Sequence, residues 1–334
     1  MRRLVRALPV AALLSAPNVR PNAAAPTPSP ALLVLSKGDH VLSVVDPATR
    51  AVVAQMPSGP DPHEVIASDD GRTAYVSNYG GGGAGALNTI TPIDLVAQRT
   101  LPTIDLGAMR GPHGLAFVGG KVWFTAEAAN AVGSYDPGTG RVERVLDTGQ
   151  EGTHMVHVSP NGARVVTTNV RAGTITVADR GTAPNDWRQT VLRAGGGVEG
   201  FDLTPDGREV WAASAQDGTI TIVDAATKRV TQTLDAHVEG ANRLQITPNG
   251  KLALVSTLRG PAVVVFDVAA RREVKRIPVG TGAAGILIQP DGARAYVACT
   301  PDDYVAVIDL ASLTVTGHVD AGKQPDGLAW AVRH

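Results

Sequence analysis

Seven times along this chain of 334 residues the same local register returns, and a repeat of that length admits few folds. Asp-Gly or Asn-Gly pairs stand at Asp70-Gly71, Asn161-Gly162, Asp206-Gly207, Asn249-Gly250 and Asp291-Gly292, with Gly119-Gly120 in their place once. Such pairs predict tight turns between antiparallel strands, with both central residues at positive φ. Eight residues before each turn glycine, or seven in the Gly119-Gly120 copy, lie His63, His113, His154, Glu199, Asn242 and Ala284. Lys323-Gln-Pro-Asp-Gly-Leu-Ala-Trp330 supplies a seventh copy, with Asp326 on the same register. The copies are about 41 to 50 residues apart, the period of a four-stranded blade.

Each period reads as four short strands. After the turn comes an aromatic or β-branched tetrapeptide, such as Tyr75-Val-Ser-Asn78, Trp123-Phe-Thr-Ala126, Val166-Thr-Thr-Asn169 or Leu254-Val-Ser-Thr257, suited to a buried pleated surface. A polar loop then leads to a run like Thr219-Ile-Thr-Ile-Val223, and every such run ends in an aspartate: Asp46, Asp94, Asp136, Asp179, Asp224, Asp267 and Asp309. Those carboxylates are expected to bond backbone N–H groups two residues on. Residues 31 to 57 match the second to fourth strands of a blade, and residues 324 to 333 match only a first strand. The two ends are therefore expected to share one closing blade, which leaves no sheet edge open. The fold class is all-β: a single-domain, seven-bladed β-propeller of four-stranded antiparallel blades over residues 31–334.

The Tyr-Val-Ser-Asn-like tetrapeptides, the Ser/Thr-Pro-Asp/Asn-Gly turns and the Val-Ile-Asp-Leu endings resemble the YVTN family of seven-bladed β-propeller repeats across residues 31 to 334. The resemblance implies a scaffold whose members include secreted, surface and binding proteins; fold alone does not fix chemistry. Ala74-Tyr-Val-Ser-Asn-Tyr-Gly-Gly-Gly82 is also similar to a blade of the seven-bladed lactonases. Gly111-Pro-His-Gly-Leu115, followed by Val122-Trp-Phe-Thr125, is similar to one blade of the streptogramin B lyases, although Glu127 stands one place later than the lyase pattern has it.

The first residues, Met1-Arg-Arg-Leu-Val-Arg6, are positive; Leu8-Pro-Val-Ala-Ala-Leu-Leu-Ser-Ala16 is apolar; and Asn22-Ala-Ala-Ala25 offers small residues for cleavage. Residues 1–25 thus read as a signal peptide and 26–30 as a Pro-rich linker, so export to a periplasmic or extracellular space is expected. The apolar stretch is too short to span a bilayer. A net charge of −1 without a basic stripe gives no sign of a nucleic-acid partner. Cys299, the one cysteine, cannot form an intramolecular disulfide and reads as a small buried apolar residue. A monomer is expected.

In a propeller the first strand of each blade lines the channel, so the register gathers His63, His113, His154, Glu199, Asn242, Ala284 and Asp326 around one mouth. Arg171, Arg243 and Arg259 are placed on the same face, where a guanidinium could hold a carboxylate or phosphate. Three imidazoles and a carboxylate on consecutive blades, His63, His113, His154 and Glu199, are the residue types that bind a divalent metal ion, and open positions on such an ion would suit water or substrate. Hydrogen-bonded polar side chains in a wet channel would give the same register. His157, three residues past His154, is expected as a satisfied interior histidine. Two main functions follow: an exported scaffold that holds a small molecule, metal ion or protein at the channel mouth, or a divalent-metal-dependent lactonase or ester-eliminating lyase with His154 and Glu199 as catalytic candidates. Binding is the preferred reading, since spacing alone identifies no proton-transfer pair. A structural cell-envelope role is the third.

Overall fold

The computed structural model describes residues 26–183, 186–238 and 240–333. The expected leader, residues 1–25, lies outside the described residues. Seven antiparallel sheets form a closed ring, and the first strand of each touches the first strand of both neighbours. We number the blades from the closing one. Their first strands are Pro325–Ala331, Pro62–Ala67, Pro112–Val118, Thr153–Val158, Val198–Leu203, Ala241–Ile246 and Ala283–Ile288. Blade 1 takes its other strands, Ala31–Ser36, Val41–Val45 and Val52–Pro57, from the opposite end of the chain. Leu32 faces Trp330, Leu33 faces Ala329 and Val34 faces Leu328 across that join. The expected closure is therefore the observed one. Only in blade 2 is a fourth strand split, into Arg99–Thr100 and Ile104–Asp105; Pro102 between them has no N–H to offer a ladder. No helix among the described residues is long and apolar enough to cross a membrane.

The core lies between neighbouring sheets. Val, Ile, Leu and Ala dominate it, as in the layer of Ile220, Ile222, Leu244, Val255 and Val264 between blades 5 and 6. Cys299 is fully buried in the layer between blades 6 and 7, and burial pushes its thiol up to about 12.

The turns differ from the sequence reading in one respect. Only the Gly119-Gly120 copy has both central residues at positive φ; in the other five the glycine alone is left-handed. The reason is loop length. Val118 pairs directly with Lys121, which leaves a two-residue turn, whereas Ser68 N–H bonds Thr73 O across four residues. In the longer loop Asp70 accepts from the Ser68 hydroxyl and Arg72 N–H, so a side chain does what a second left-handed residue would do. Six of the seven strand-ending aspartates bond backbone N–H groups two or three residues on, for example Asp46 to Ala48 and Asp267 to Ala270. Asp179 instead pairs with Arg164 and Lys228.

In blades 3, 4 and 6 the third residue of the Tyr-Val-Ser-Asn-like motif is a clip between blades. Thr125 Oγ1 accepts from Gly114 N–H at 2.9 Å and donates to His154 O in the next blade at 2.6 Å. Thr168 does the same between Met155 and Glu199, and Ser256 between Arg243 and Ala284. Each hydroxyl thereby fixes the backbone of the next channel residue. The motif's asparagine braces its own blade: Asn78 Nδ2 donates to Thr89 and Thr91, and Asn169 Nδ2 to Thr174 and Thr176.

Candidate functional site

The residues of the sequence register occupy the second position of each first strand. His63, His113, His154, Glu199, Asn242, Ala284 and Asp326 all line one cavity of about 380 Å³ at the channel mouth, joined by Lys37, Tyr79 and Arg243. Leu258, Pro301 and Ala284 give the cavity an apolar side between blades 6 and 7.

The next residue along each first strand alternates in size around the ring. It is Gly327, Glu64, Gly114, Met155, Gly200, Arg243 and Gly285 in blades 1 to 7. A Cβ on Gly200 would lie 2.5 Å from Arg243 Cα, and one on Gly114 would lie 2.7 Å from His154 O. Neighbouring strands can approach that closely only where one has no side chain. Large residues consequently appear only between two glycines, and an odd number of blades leaves Gly285 and Gly327 adjacent. This packing seats Glu64 and Arg243 within the channel, where their side chains meet.

The polar side chains form two sets of ion pairs and hydrogen bonds. Arg243 donates to Glu199 Oε1 at 2.8 Å and to Asn242 Oδ1 at 2.9 Å, and also pairs with Glu64. Glu199 Oε1 accepts from Asn242 Nδ2 as well, at 3.1 Å, and lies 3.3 Å from His154 Nε2. His154 Nδ1 lies 2.7 Å from Glu127 Oε2, which also accepts from the Tyr79 hydroxyl at 2.7 Å, while Arg171 pairs with Glu127 Oε1. Across the mouth, Lys37 Nζ is 2.9 Å from His63 Nε2 and 3.2 Å from Asp326 Oδ2.

Charge follows from these contacts. Burial disfavours the charged form of His154, but the hydrogen bonds to Glu127 and Glu199 outweigh it and push the imidazole up to about 9. Burial would raise Glu199, but His154 and Arg243 bring it down to about 2. His113 goes the other way. Its ring is 3% exposed and stacks on His154 with centroids 3.8 Å apart. Burial first, then the charges of His154 and Arg243, hold it well below the usual histidine range. Neither ring nitrogen of His113 has a hydrogen-bond partner among the described residues, and Nδ1 is fully enclosed.

Sequence reasoning placed the ring but not its connections. The four residues expected to bind a metal share the cavity, yet no three His, Cys, Asp or Glu side chains among the described residues converge on a point that an ion could occupy. His154 has a carboxylate at each nitrogen, and Lys37 stands against His63 Nε2. This donor set does not fit a shared ion. Arg171 is spent on Glu127, and Arg259 lies in a separate groove with Asp217, His237 and Arg276 rather than at the mouth. His157 lines a second cavity of about 170 Å³ with Arg243, and no hydrogen bond from the described residues reaches its ring. Glu127 and Tyr79 were visible in the loops on the mouth face but had no pattern to mark them. Glu64 and Arg243 did carry a signal, namely large residues flanked by glycine on both neighbouring blades.

In sequence, no family model and no curated protein matches the chain. In structure it is similar to a functionally unknown protein from Desulfotomaculum acetoxidans, with 13% identity over 92% of this chain and 100% of that one and a TM-score of 0.74. It is also similar to a protein provisionally named 6-phosphogluconolactonase from Bacteroides uniformis, with 15% identity over 90% and 99% of the two chains and a TM-score of 0.71. Kuenenia stuttgartiensis hydrazine synthase gives 18% identity, 90% and 99% coverage and a TM-score of 0.71. At these identities the likeness is one of fold.

Proposed function

We propose that this chain is an exported propeller of the YVTN type that binds one small molecule at the channel mouth, with His113 as its contact. A single observation carries the reading: His113 is the one polar side chain lining the cavity, among the described residues, whose hydrogen-bonding groups are unengaged. An unpaired polar group held in a folded interior costs about 1–3 kcal/mol, and such groups gather where a ligand completes the bonding. A bare buried acceptor is tolerated better than a bare buried N–H. The favoured neutral tautomer therefore leaves the lone pair on enclosed Nδ1 and presents Nε2–H to the cavity. His113 is thus a donor awaiting an acceptor such as a carbonyl, ether or hydroxyl oxygen.

The structural neighbours provisionally named 6-phosphogluconolactonases favour ring-opening of a lactone as the second reading. A base is then required, and neither expected candidate suits that role: His154 is charged at neutral pH, and Glu199 Oε1 is shared by three partners.

The test is His113→Phe, which keeps ring volume and removes the donor. The variant is expected to melt no lower than the parent, because it loses an unpaired polar group, and to lose saturable binding of lactones and cyclic ethers measured by calorimetry. Undiminished binding in the variant would overturn the assignment, and turnover of any lactone by the parent would move the protein to the second reading.

A further inference from the structure

Every charged side chain at the mouth is already matched. Lys37 lies against Asp326, Arg171 against Glu127, His154 between Glu127 and Glu199, and Arg243 between Glu199 and Glu64. Four cations thus interleave with four carboxylates. Asp61, beyond the cavity lining, is half solvated and accepts from Gly80 N–H. The pairs of His154 and Arg243 are largely buried, whereas Lys37 is partly exposed and Arg171 exposed; separating one of the buried pairs to admit a ligand charge would leave a carboxylate or cation uncompensated inside the protein. Beside this neutral polar arc stands the apolar side of Leu258, Ala284 and Pro301. Arg243 lines both this cavity and a second one of about 170 Å³. Its guanidinium is already engaged by Glu199, Asn242 and Glu64.

Resting on the binding function proposed above, we infer that the mouth selects an uncharged molecule that offers one hydrogen-bond acceptor to His113 and an apolar face to Leu258 and Pro301, and that it rejects anions and cations of the same shape. Phosphate esters and carboxylates, which an arginine-rich mouth would suggest, belong to the rejected class. Arg243 is held by Glu199 on Nη1 and by Glu64 on Nη2, and Arg171, though exposed, is not among the residues that line the cavity, so no guanidinium inside it is left without a carboxylate. The discrimination comes from pairing. Removing one member of a pair therefore changes the preferred charge of the ligand without altering the shape of the cavity.

Three probes of one shape test this: cyclohexanecarboxamide, cyclohexanecarboxylate and cyclohexylmethylammonium, each titrated into the full chain with the His113 ring nitrogens observed by NMR. The carboxamide is expected to shift His113 Nε2 and to bind at least roughly tenfold more tightly than either ion, the ions having to strip charge that no free partner replaces. Asp326→Asn, which frees Lys37, is expected to improve carboxylate binding by a similar factor. Lys37→Met, which frees Asp326, does so for the ammonium if the first variant fails to fold. A carboxylate or ammonium that binds the parent at His113 as tightly as the amide would overturn the selectivity while leaving the mouth as a ligand site. Failure of all three probes to perturb His113 would instead remove the binding function on which the inference rests.

Discussion

At His154 two carboxylates hold one imidazolium, and the ring stacked on it is kept neutral; the opposite fates of two adjacent histidines are the main electrostatic fact of the mouth. They imply opposite pH dependences. His154 is raised in the fold from 6.5 to about 9, so its stabilisation is complete below pH 6.5 and is lost as pH rises from 6.5 through 9. His113 is depressed, so the unfolded chain takes up a proton that the folded chain refuses, and stability falls as pH drops below 6.5. His63 and His157, both lowered chiefly by burial, act in the same acid-side direction. His154→Gln should accordingly flatten the alkaline limb of a plot of Tm against pH while leaving most of the acid limb, which the burial of His113, His63 and His157 sustains once the charge of His154 is gone. An alkaline limb as steep in the variant as in the parent would show that His154 is not the charged partner. The register alone could not separate these two rings. It assigns them the same strand position, and the difference lies in Glu127, which reaches His154 from a short loop after the second strand of blade 3.

At the scale of elements, most of the architecture was legible. Turn spacing marked the blades, and the phase of the two ends marked the closing one, because each signal comes from local backbone requirements that recur. What the strands do to one another was less visible. The Ser/Thr of the Tyr-Val-Ser-Asn-like motif reads as a β-former, yet in blades 3, 4 and 6 its hydroxyl ties the strand beside it to the next blade. Ala213 and Ala298 hold the same motif place in blades 5 and 7 and make no such bond. The glycine alternation on the first strands is likewise a long-range requirement written one residue per blade. It makes Gly200→Ala a defined test. The added methyl would meet Asn242 O and Arg243 Cα, both rigid backbone atoms, so the strands of blades 5 and 6 would have to separate at a cost of roughly 1–3 kcal/mol. That separation would also draw Arg243 from Glu64. The expected outcome is a lower Tm together with weaker ligand binding. A variant with the parent's Tm would mean that the channel is looser than the packing here requires.

For the whole molecule, the ring converts seven similar strands into one asymmetric cavity. The fold supplies position, and the side chains at two successive register places, together with Lys37, Glu127, Arg171, Leu258 and Pro301 from outside the first strands, supply a charge-balanced arc, an apolar side and one unengaged histidine. The expected metal centre and arginine anion site came from residue types taken separately; in the folded chain the cations and carboxylates that would have served them neutralise one another. That mutual neutralisation is the central claim, and it can be measured directly by NMR of ¹⁵N-histidine in the full chain between about pH 5 and about pH 10, a range that spans the ordinary histidine pKa. The account predicts that both ring nitrogens of His154 stay protonated until pH approaches about 9. It predicts that His113 stays neutral with its proton on Nε2 well below pH 6.5, and that an uncharged ligand moves the Nε2 resonance. A His154 that loses its proton near 6.5, or a His113 that is protonated at neutral pH, would contradict it.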